Sequence, residues 1–587
     1  MAKKIASELL VERLIDWGVD TVFGLPGDGI NGIMEALRRH SDRIRFVLVH
    51  HEESAAFMAC GYAKSTGRLG VCLATSGGGG LHLLNGLYDA KLDHVPVLAL
   101  TGMQATQLLG TGYHQEVHLE KIFEDVTDYN AVAYIPGQIP ALVDLAIRTS
   151  LSMKTVSHIT FPVDLQEADP EESPWPGGLG LAGTPDTSKV YLPSPVVPAA
   201  ANLQKAADLL NRGEKIVMLV GAGALDAGTE VAEAAEILAS PVIKTLPGKA
   251  VLADDHPLTT GGLGLLGTKP STEAIESCDT IFMVGTNFPY TSYLPESAAG
   301  VQIESDPRRV GNRLPIDVPL VGDAKETLRA LTPRLTRKVD RSFLESGQAG
   351  MVKWQEKIAA MEDPERSPIQ PQYLMRVVDE LASDDAILCG DSGTSATWAA
   401  RHFHIRGNRQ FMISGNLATM AAGLPYSIAA QWAHPGRQCI AFVGDGAFAM
   451  LMAEFMTAVR YELDVKVVIL NNGLLGQILW EQMALGYPEH GVRYERRFDF
   501  APWATACGGL GITVEDPAQV RGAIEVAFAH PGPAVVDVLV NPDEPPMPPK
   551  VSYEQARGFA ESFLKGEFRR TTIASTLFRD KLDELKS

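Results

Sequence analysis

Cysteine, long apolar runs and basic clusters are all scarce in this sequence of 587 residues. Its six cysteines lie far apart and form no C-x-x-C motif, so they are predicted to be reduced residues of the core. No stretch of about 18 residues is continuously apolar, and acidic residues precede any apolar segment of signal-peptide length. We therefore expect a cytoplasmic protein that does not span a membrane.

Positive charge is also in short supply. Lysine and arginine total 51 against 71 aspartates and glutamates, which gives a formal net charge of -20. The absence of a long basic run argues against nucleic acid as the main partner. An acidic protein that binds an anionic ligand must neutralise it locally, with a metal cation, helix N-termini or backbone N–H groups.

What the sequence does contain is typical of a soluble globular protein, with 45% hydrophobic and 21% charged residues. The length predicts about three to five compact units. Short β-rich apolar runs alternate with helical patterns, at residues 46–49, 71–74, 95–100, 216–220, 280–284, 438–443 and 465–470. Strands buried on both faces have this pattern, so we predict an α/β fold with parallel sheets.

Two stretches interrupt the alternation and are predicted to be linkers. Residues 169–188 are crowded with proline, glycine and acids, and residues 333–372 are charged, with prolines near both ends. They divide the chain into blocks 1–185, 190–340 and 365–541, followed by a tail, 542–587. We predict three doubly wound parallel-sheet domains and a C-terminal tail. No short repeat is present, which excludes a solenoid.

The strongest chemical motif lies in the third block. Gly444-Asp445-Gly446 follows one apolar run, and Asn472 follows the next. Open parallel sheets bind ligands at the carboxyl ends of their strands, where a carboxylate and an amide oxygen would suit Mg²⁺. A tight strand-to-helix turn would explain Gly-Asp-Gly alone, but its pairing with Asn472 favours a metal–phosphate site, with a helix predicted from about Ala447.

These paired motifs resemble the fingerprint of the thiamine-diphosphate-dependent enzymes. Over nearly its full length, the chain is similar to the pyruvate oxidase and acetolactate synthase branch of that family. The resemblance implies that Asp445, Asn472 and the backbone carbonyl of Leu474 hold Mg²⁺ on the cofactor diphosphate. It also implies that the cofactor contacts Gly444, Gly446, Ala447 and Gly476.

A second motif lies in the first block, where the segment 49–55 ends a strand and opens a helix. An isolated glutamate there could be no more than a helix N-terminal charge, worth about 0.3–1 kcal/mol. The family motif, His-Glu followed by Glu or Gln, maps the catalytic glutamate onto Glu52. By that resemblance, Glu52 hydrogen-bonds the aminopyrimidine ring of the cofactor.

Other segments resemble the family loops around the cofactor. The resemblance assigns Pro26, Gly27, Ser76 and Asn85 to first-domain loops near the pyrimidine and the active site. Met420 falls where the family has an apolar wedge that bends the cofactor. Taken as a lone residue, Met420 is better explained as a core residue, because methionine commonly fills gaps in the core.

The middle block has two glycine motifs, which begin at Gly221 and Gly262. The second matches G-x-G-x-x-G but follows Thr259-Thr260-Gly261, not a predicted strand, so as a dinucleotide fingerprint it fails its context. Flavin-binding members of the family carry similar segments, which implies FAD contacts at Gly221, Gly262, Gly264, Asn287, Glu304, Asp306 and Asp323. Pro247 stands where close flavin-binding relatives carry arginine, and the alternative is a cofactor-free spacer domain.

The resemblance implies that the substrate pocket contains His114, Gln115, Gln477 and Glu481. His114 and His118 could share a helix face as a metal pair, but no third ligand is in view. Pyruvate oxidases have Phe at the positions of His114 and Gln477. Because a buried amide without a partner costs about 1–3 kcal/mol, we expect Gln477 to bond to substrate, water or cofactor, and the substrate or acceptor to be more polar than pyruvate alone.

The tail combines aromatic, basic and acidic residues. It resembles in length the lipid-binding end of quinone-dependent family members, which implies a peripheral contact with the inner face of the membrane. The acids Glu554, Glu561, Glu567 and Asp580 dilute its basic face, which favours an ordinary packing helix instead.

Taken together, the resemblance implies a homodimer or homotetramer that uses thiamine diphosphate, Mg²⁺ and FAD for the oxidative decarboxylation of pyruvate or a similar 2-oxo acid. One alternative is an acetolactate-synthase-type carboligase, which joins the decarboxylated fragment to a second carbonyl compound. Another is a non-catalytic protein with the same fold, against which the presence of Glu52, Asp445 and Asn472 argues.

Overall fold

The computed structural model describes residues 3–170, 187–550, 553–567 and 569–577. Within them the chain forms three six-stranded sheets, and all the neighbouring strands within each sheet are parallel. The predicted α/β class with three parallel sheets is therefore confirmed. Two predicted strands, 216–220 and 280–284, coincide with strands of the structure, and the others differ by a few residues at their ends.

The first sheet has the strand order β2-β1-β3-β4-β6-β5. Its strands are β1 (Thr21–Gly24), β2 (Arg45–Leu48), β3 (Gly70–Ala74), β4 (Val97–Met103), β5 (Tyr129–Val132) and β6 (Val156–Pro162). The helices of this part are α1 (Ala6–Asp16), α2 (Asn31–Arg39), α3 (Glu52–Thr66), α4 (Gly78–His82), α5 (Leu84–Leu92), α6 (Leu119–Ile122), α7 (Ile139–Met153) and α8 (Val163–Glu167).

The second sheet has the strand order β12-β11-β10-β7-β8-β9. Its strands are β7 (Ile216–Val220), β8 (Val242–Lys244), β9 (Thr259–Gly262), β10 (Thr280–Val284), β11 (Ala299–Glu304) and β12 (Val318–Val321). The accompanying helices are α9 (Ala200–Arg212), α10 (Gly228–Leu238), α11 (Lys269–Ser277) and α12 (Ala324–Leu331), and α13 (Ser342–Ala360) follows.

The third sheet has the strand order β14-β13-β15-β16-β18-β17. Its strands are β13 (Ile387–Gly390), β14 (Gln410–Met412), β15 (Cys439–Gly444), β16 (Val465–Asn471), β17 (Leu510–Val514) and β18 (Ala534–Leu539). Its helices are α14 (Pro371–Leu381), α15 (Thr394–His402), α16 (Gly423–Ala433), α17 (Asp445–Leu451), α18 (Phe455–Arg460), α19 (Gly476–Ala484), α20 (Phe500–Ala506) and α21 (Val520–Ala529), and the tail contributes α22 (Tyr553–Leu564).

The second predicted linker, 333–372, is wrong in part, because it contains the 19-residue helix α13. Leu344, Trp354 and Ile358 are its buried residues, and their spacing places them on one face. The helix packs against α11 and β9 and so covers an edge of the second sheet. The charged residues of the whole segment 333–372 concealed this narrow apolar face in the sequence.

The first predicted linker, 169–188, lies mostly outside the described residues, as does the predicted boundary at residue 185. The other domain boundaries stay predictions. Among the described helices, none is both long and apolar enough to cross a membrane. All six cysteines are free thiols, and four of them are buried.

The first and third sheets share one hydrophobic core. Helix α3 packs against α16, and their crossing is closest at Gly61, where an added Cβ would lie 2.9 Å from the Cα of Tyr426. Glycine is required there because any side chain would collide with the facing backbone. This packing fixes α3, and with it Glu52, relative to the third sheet.

Candidate active site

Asp445 lies at the predicted place, where β15 ends and α17 begins. The helix starts at Asp445 itself, two residues before the predicted start. The buried Asp445 carboxylate accepts the backbone N–H of Gly473 at 2.9 Å. Burial raises the pKa of Asp445 to about 7, against backbone hydrogen bonds that lower it. A cation beside this carboxylate would favour its ionised form.

Asn472 and Leu474 lie in the turn that follows β16, next to Asp445. The Asn472 Oδ1 atom accepts the N–H of Leu474 at 3.0 Å. In the part of the chain that the structure describes, the carbonyl of Leu474 accepts no hydrogen bond. A buried carboxylate, an amide oxygen and an unpaired carbonyl are hard oxygen ligands, and this donor set fits Mg²⁺.

The backbone around these ligands leaves room for an anion. Gly444 precedes α17, and an added Cβ there would meet nothing within 4 Å. At Gly446 a Cβ would lie 2.7 Å from the hydroxyl of Tyr494, so only glycine allows that approach. Helices α17 and α19 both start here. The first residues of α17 are Asp445, Gly446 and the buried Ala447, and α19 starts at Gly476. Free N–H groups at helix starts suit a diphosphate.

Glu52 is the first residue of α3, and its side chain is largely buried. Its Oε2 atom lies 2.9 Å from Nδ1 of His82. Its Oε1 atom faces Gly79, where an added Cβ would lie only 3.0 Å away. Any side chain at position 79 would therefore crowd Oε1, and glycine keeps the space beside this oxygen free.

His82 was not predicted from the sequence, although it follows the glycine run at residues 77–80. Its ring stacks on that of His51, with centroids 4.6 Å apart. Among the described residues, His51, Glu52 and His82 also form a group whose ligand atoms lie within 4.8 Å of one another. A metal bound there would compete for the carboxylate that the family resemblance assigns to the cofactor.

Glu454 was also missed, and it holds the chain just before Glu52. Its fully buried carboxylate accepts the N–H groups of His50 and His51 at 2.8 and 2.9 Å. Glu454 precedes α18 in the third domain, so a buried acid of that domain positions the start of α3. Nothing in the local sequence around Glu454 indicates this long-range contact.

The loops of the first domain that were predicted to contact the cofactor lie close together. An added Cβ at Gly27 would be 2.5 Å from Thr75, next to the buried Ser76, and the exposed Pro26 precedes Gly27. The amide of Asn85 donates to Glu53 at 2.6 Å and to Thr419 at 3.1 Å. Asn85 therefore links this domain to the residue just before Met420.

Met420 is half-buried in a turn between two alanines of positive φ, Ala418 at 54° and Ala421 at 80°. Such a backbone is strained for residues other than glycine and persists only where other contacts hold it. Asp391, a buried residue at the end of β13, accepts the N–H of Ala421 at 3.1 Å. Asp391 was not predicted as a site residue.

The residues assigned to the substrate pocket lie on two separate segments. His114 and Gln115 are exposed on an irregular loop, and Gln115, at φ 59°, lies against Gly77. The helix-face pairing of His114 with His118 is wrong, because α6 begins only at Leu119.

Gln477 and Glu481 lie one turn apart on α19. The Gln477 amide already has one partner within the chain, because its Nε2 donates to Glu481 at 3.0 Å, and its contact with substrate, water or cofactor stays a prediction. Gln477 is only half-buried and Glu481 is exposed. The pair presents an amide and a carboxylate from the first two turns of α19.

The predicted flavin-binding residues lie at the carboxyl edge of the second sheet. The statement that no strand precedes the Gly262 motif is wrong, since β9 runs through Thr259–Gly262. Gly221 follows β7 and Asn287 lies shortly after β10, while Gly264 has a positive φ of 89°. An edge of this kind, rich in glycine, suits an extended dinucleotide.

The acidic residues of this edge have partners within the chain. Glu304, which is buried, accepts the N–H of Ser305 at 2.9 Å. Asp306 bonds Arg308, and Asp323 caps α12 by accepting the N–H of Glu326 at 2.9 Å. Capping is a sufficient structural reason for Asp323.

The tail helix α22 packs on α19. Phe559 stacks on Trp480 with ring centroids 6.4 Å apart, and Phe563 joins the same small cluster. Phe568 and Phe578, two aromatic residues of the tail, and Asp580, one of the acids that dilute its basic face, lie outside the described residues.

Three family models match consecutive parts of the chain. They are the N-terminal TPP binding domain of thiamine pyrophosphate enzymes at residues 5–122, the central domain at 203–331 and the C-terminal TPP binding domain at 391–538. The matched parts contain Glu52, the glycine loops of the second sheet, and both Asp445 and Asn472.

Curated relatives match over nearly the whole chain. The protein named "Putative thiamine pyrophosphate-containing protein YdaP" of Bacillus subtilis is 40% identical over 100% of both chains. Pyruvate oxidase of Lactiplantibacillus plantarum is 32% identical, over 95% of this chain and 92% of its own. Acetolactate synthase of Arthrospira platensis is also 32% identical, over 91% of this chain and 94% of its own. The pyruvate oxidase and this acetolactate synthase thus have the same percentage identity to the chain.

Proposed function

Because this chain belongs to the thiamine pyrophosphate-dependent enzymes, we propose that it catalyses the oxidative decarboxylation of pyruvate or a related 2-oxo acid and passes the electrons to FAD. The observation that carries this proposal is the donor set at the end of β15 and β16. Asp445, Asn472 and the carbonyl of Leu474 would hold Mg²⁺, and the starts of α17 and α19 would face the diphosphate.

When bound, thiamine diphosphate supplies a nucleophilic carbon for the 2-oxo group and an electron sink for the pair released with CO₂. Glu52 would hydrogen-bond its aminopyrimidine ring through Oε1, which faces the space at Gly79. His82 holds the other carboxylate oxygen, Oε2, and so fixes the direction in which Oε1 points. Glu52 is thus an acid–base group whose orientation is set before the cofactor binds.

The remaining residues would position cofactor and substrate. Met420, in its strained turn, would support the bent form of the cofactor, and Asp391 keeps that turn in place. His114 and Gln115 would approach the substrate from the first domain. Gln477 and Glu481, which share a hydrogen bond, would approach the substrate from the third domain.

The support for FAD is the glycine-rich carboxyl edge of the second sheet. Gly221, Gly262 and Gly264 would let the dinucleotide approach the backbone, beside Asn287. Glu304 and Asp306, at the end of β11, would meet the adenosine ribose. Asp323 has the least support, because its carboxylate already caps α12.

The active form would be a homodimer or homotetramer. Met450, Met456 and Ile478, on the helices that surround the Mg²⁺ ligands, are exposed large apolar residues. A second subunit that contributes its first domain would cover them. The alternative contact of the tail with a membrane is less well supported, because Phe559 and Phe563 already pack on the third domain.

An anaerobic visible spectrum, recorded with thiamine diphosphate, Mg²⁺ and FAD before and after addition of pyruvate, tests this function. Bleaching of the flavin with release of CO₂ is expected. An unbleached flavin together with acetolactate formation would establish the carboligase instead. Release of CO₂ without flavin bleaching and without acetolactate would contradict both the oxidase and the carboligase.

A further inference from the structure

A cavity of about 290 Å³ lies where the second sheet, helix α13 and the third domain meet. Its walls come from the edge strands β8 and β9, from α13 and from α15. It touches the proposed flavin edge at the Gly262 motif, through Gly262, Leu263 and Leu266, and the other residues predicted to bind FAD do not line it. Its volume suits a small organic molecule.

Much of the lining is apolar. Helix α13 contributes Met351, Trp354 and Ile358, and the facing loops contribute Leu246, Leu263 and Leu266. Trp354 and Ile358 are buried although they belong to a segment rich in charged residues. An apolar body of ligand size would therefore find contacts on two sides.

Two lysines of the lining already have a shared partner. Lys244 and Lys249 reach opposite oxygens of Asp254 at 2.6 and 2.9 Å. Lys244 also donates to the carbonyl of Leu252, and Lys249 to that of Ala400. The two lysines and Asp254 thus have hydrogen-bond partners within the chain. Two positive charges and one negative charge leave one positive charge in excess.

Arg401 differs, because its guanidinium has no acidic partner among the described residues. One terminal nitrogen donates to the carbonyls of Leu265 and Met547, each at 2.8 Å. Its Nε is shielded from solvent and has no hydrogen-bond partner in the described part of the chain. Burial alone lowers the pKa of Arg401, to about 10.

The acids of the lining are committed elsewhere. Asp254 holds the two lysines, and Glu362 lies 2.6 Å from Nδ1 of His402 and 3.8 Å from Arg376. His404, the remaining titratable group of the lining, bonds Asp379. Among the described residues, the fixed charges of the walls thus leave the half-buried Arg401 without a counter-ion, which an anion bound in the cavity would supply.

We propose that this cavity binds a small monocarboxylate with an apolar body. The carboxylate pairs with the Arg401 guanidinium, which lines the cavity, and the apolar body packs against Trp354 and Leu263. Because the cavity joins the second domain, α13 and the third domain, the ligand ties these three parts together. This proposal does not depend on the chemistry proposed for the active site.

Calorimetric titration of the full-length protein with benzoate, with and without saturating FAD, tests this site. We expect saturable binding with a dissociation constant in the millimolar range or below, independent of FAD, and no binding of benzyl alcohol. Arg401→Met should weaken benzoate binding at least tenfold. Ala359→Phe, which adds bulk to the lining from α13 without touching Arg401, should also weaken it at least tenfold. Arg337→Gln, at an exposed arginine outside the cavity, is the matched control and should leave binding unchanged.

Thermal melting shows whether the variants are folded, and a benzoate-dependent rise in melting temperature should occur in the wild type and in Arg337→Gln only. Inorganic phosphate that binds as tightly as benzoate would overturn the assignment of a carboxylate with an apolar body. Competition between FAD and benzoate would show that the cavity belongs to the flavin site and would also overturn the proposal. The proposal would also be overturned if both Arg401→Met and Ala359→Phe bound benzoate as tightly as the wild type, or if the wild type bound no benzoate.

Discussion

The carboxylate of Asp391 accepts the backbone N–H of Ala421 at 3.1 Å, and through this bond the end of β13 holds the strained turn beside Met420. Burial raises the pKa of Asp391 to about 7, against several backbone hydrogen bonds that lower it. The folded state therefore holds a proton on this group that an unfolded aspartate releases near its ordinary pKa of 3.8. The resulting stabilisation is complete below that value and is lost as the pH rises through about 7.

Asp391→Asn should reduce the loss of stability of the cofactor-free protein between pH 5 and pH 8. Each unit of pKa shift corresponds to about 1.4 kcal/mol. Over this pH range the wild type should therefore lose a few kcal/mol more of its free energy of unfolding than the variant. Thermal denaturation at a series of pH values measures it. Asp42→Asn, at an exposed position, is the control and should follow the wild type. An Asp391→Asn protein with the pH slope of the wild type would contradict the assigned pKa.

Asp445→Ala should weaken Mg²⁺-dependent binding of thiamine diphosphate by about 10- to 100-fold, because a charged ligand contributes about 1.5–3 kcal/mol. Calorimetric titration of the cofactor at several Mg²⁺ concentrations gives the affinity. Asp42→Ala serves as the exposed control. If the variant and the wild type depend on Mg²⁺ in the same way, Asp445 is not a ligand.

Glu52→Gln should lower turnover by about 10²–10⁴-fold, the range for a lost acid–base group, with little change in cofactor affinity. His82→Gln should have a smaller effect, because His82 acts by orienting Oε2 of Glu52. Steady-state kinetics at saturating cofactor separate the two variants, and the pH profile should change in His82→Gln. Near-normal turnover of Glu52→Gln would remove its assigned role.

Gln477→Phe should shift the kcat/KM preference among 2-oxo acids toward apolar side chains by about tenfold, equivalent to about 1.4 kcal/mol. The substitution removes the amide that is held by Glu481 at the start of α19. Competition assays with pyruvate and longer or more polar 2-oxo acids measure the preference. Gln204→Phe, on the exposed face of α9, is the control. An unchanged preference would exclude Gln477 from the substrate pocket.

The sequence by itself determined the three parallel sheets, because doubly buried strands produce continuous apolar runs, as at 216–220 and 280–284. It also located Asp445 and Asn472, since residues that follow neighbouring parallel strands must meet at one edge of the sheet. These are local patterns, and the connectivity of a parallel sheet converts them into proximity.

Only the tertiary structure decided the contacts that connect distant parts of the chain. Glu454 and His82 position Glu52, and Asp391 holds the turn at Met420, across sequence separations that no local pattern encodes. Helix α13 likewise escaped the sequence pattern, because its buried face is narrow and the helix lies in a segment, 333–372, that is rich in charged residues. Among the described residues, Arg401 lies half-buried beside a cavity without an acidic partner only because three parts of the chain pack together there. Burial and the absence of a counter-ion are properties of the folded state.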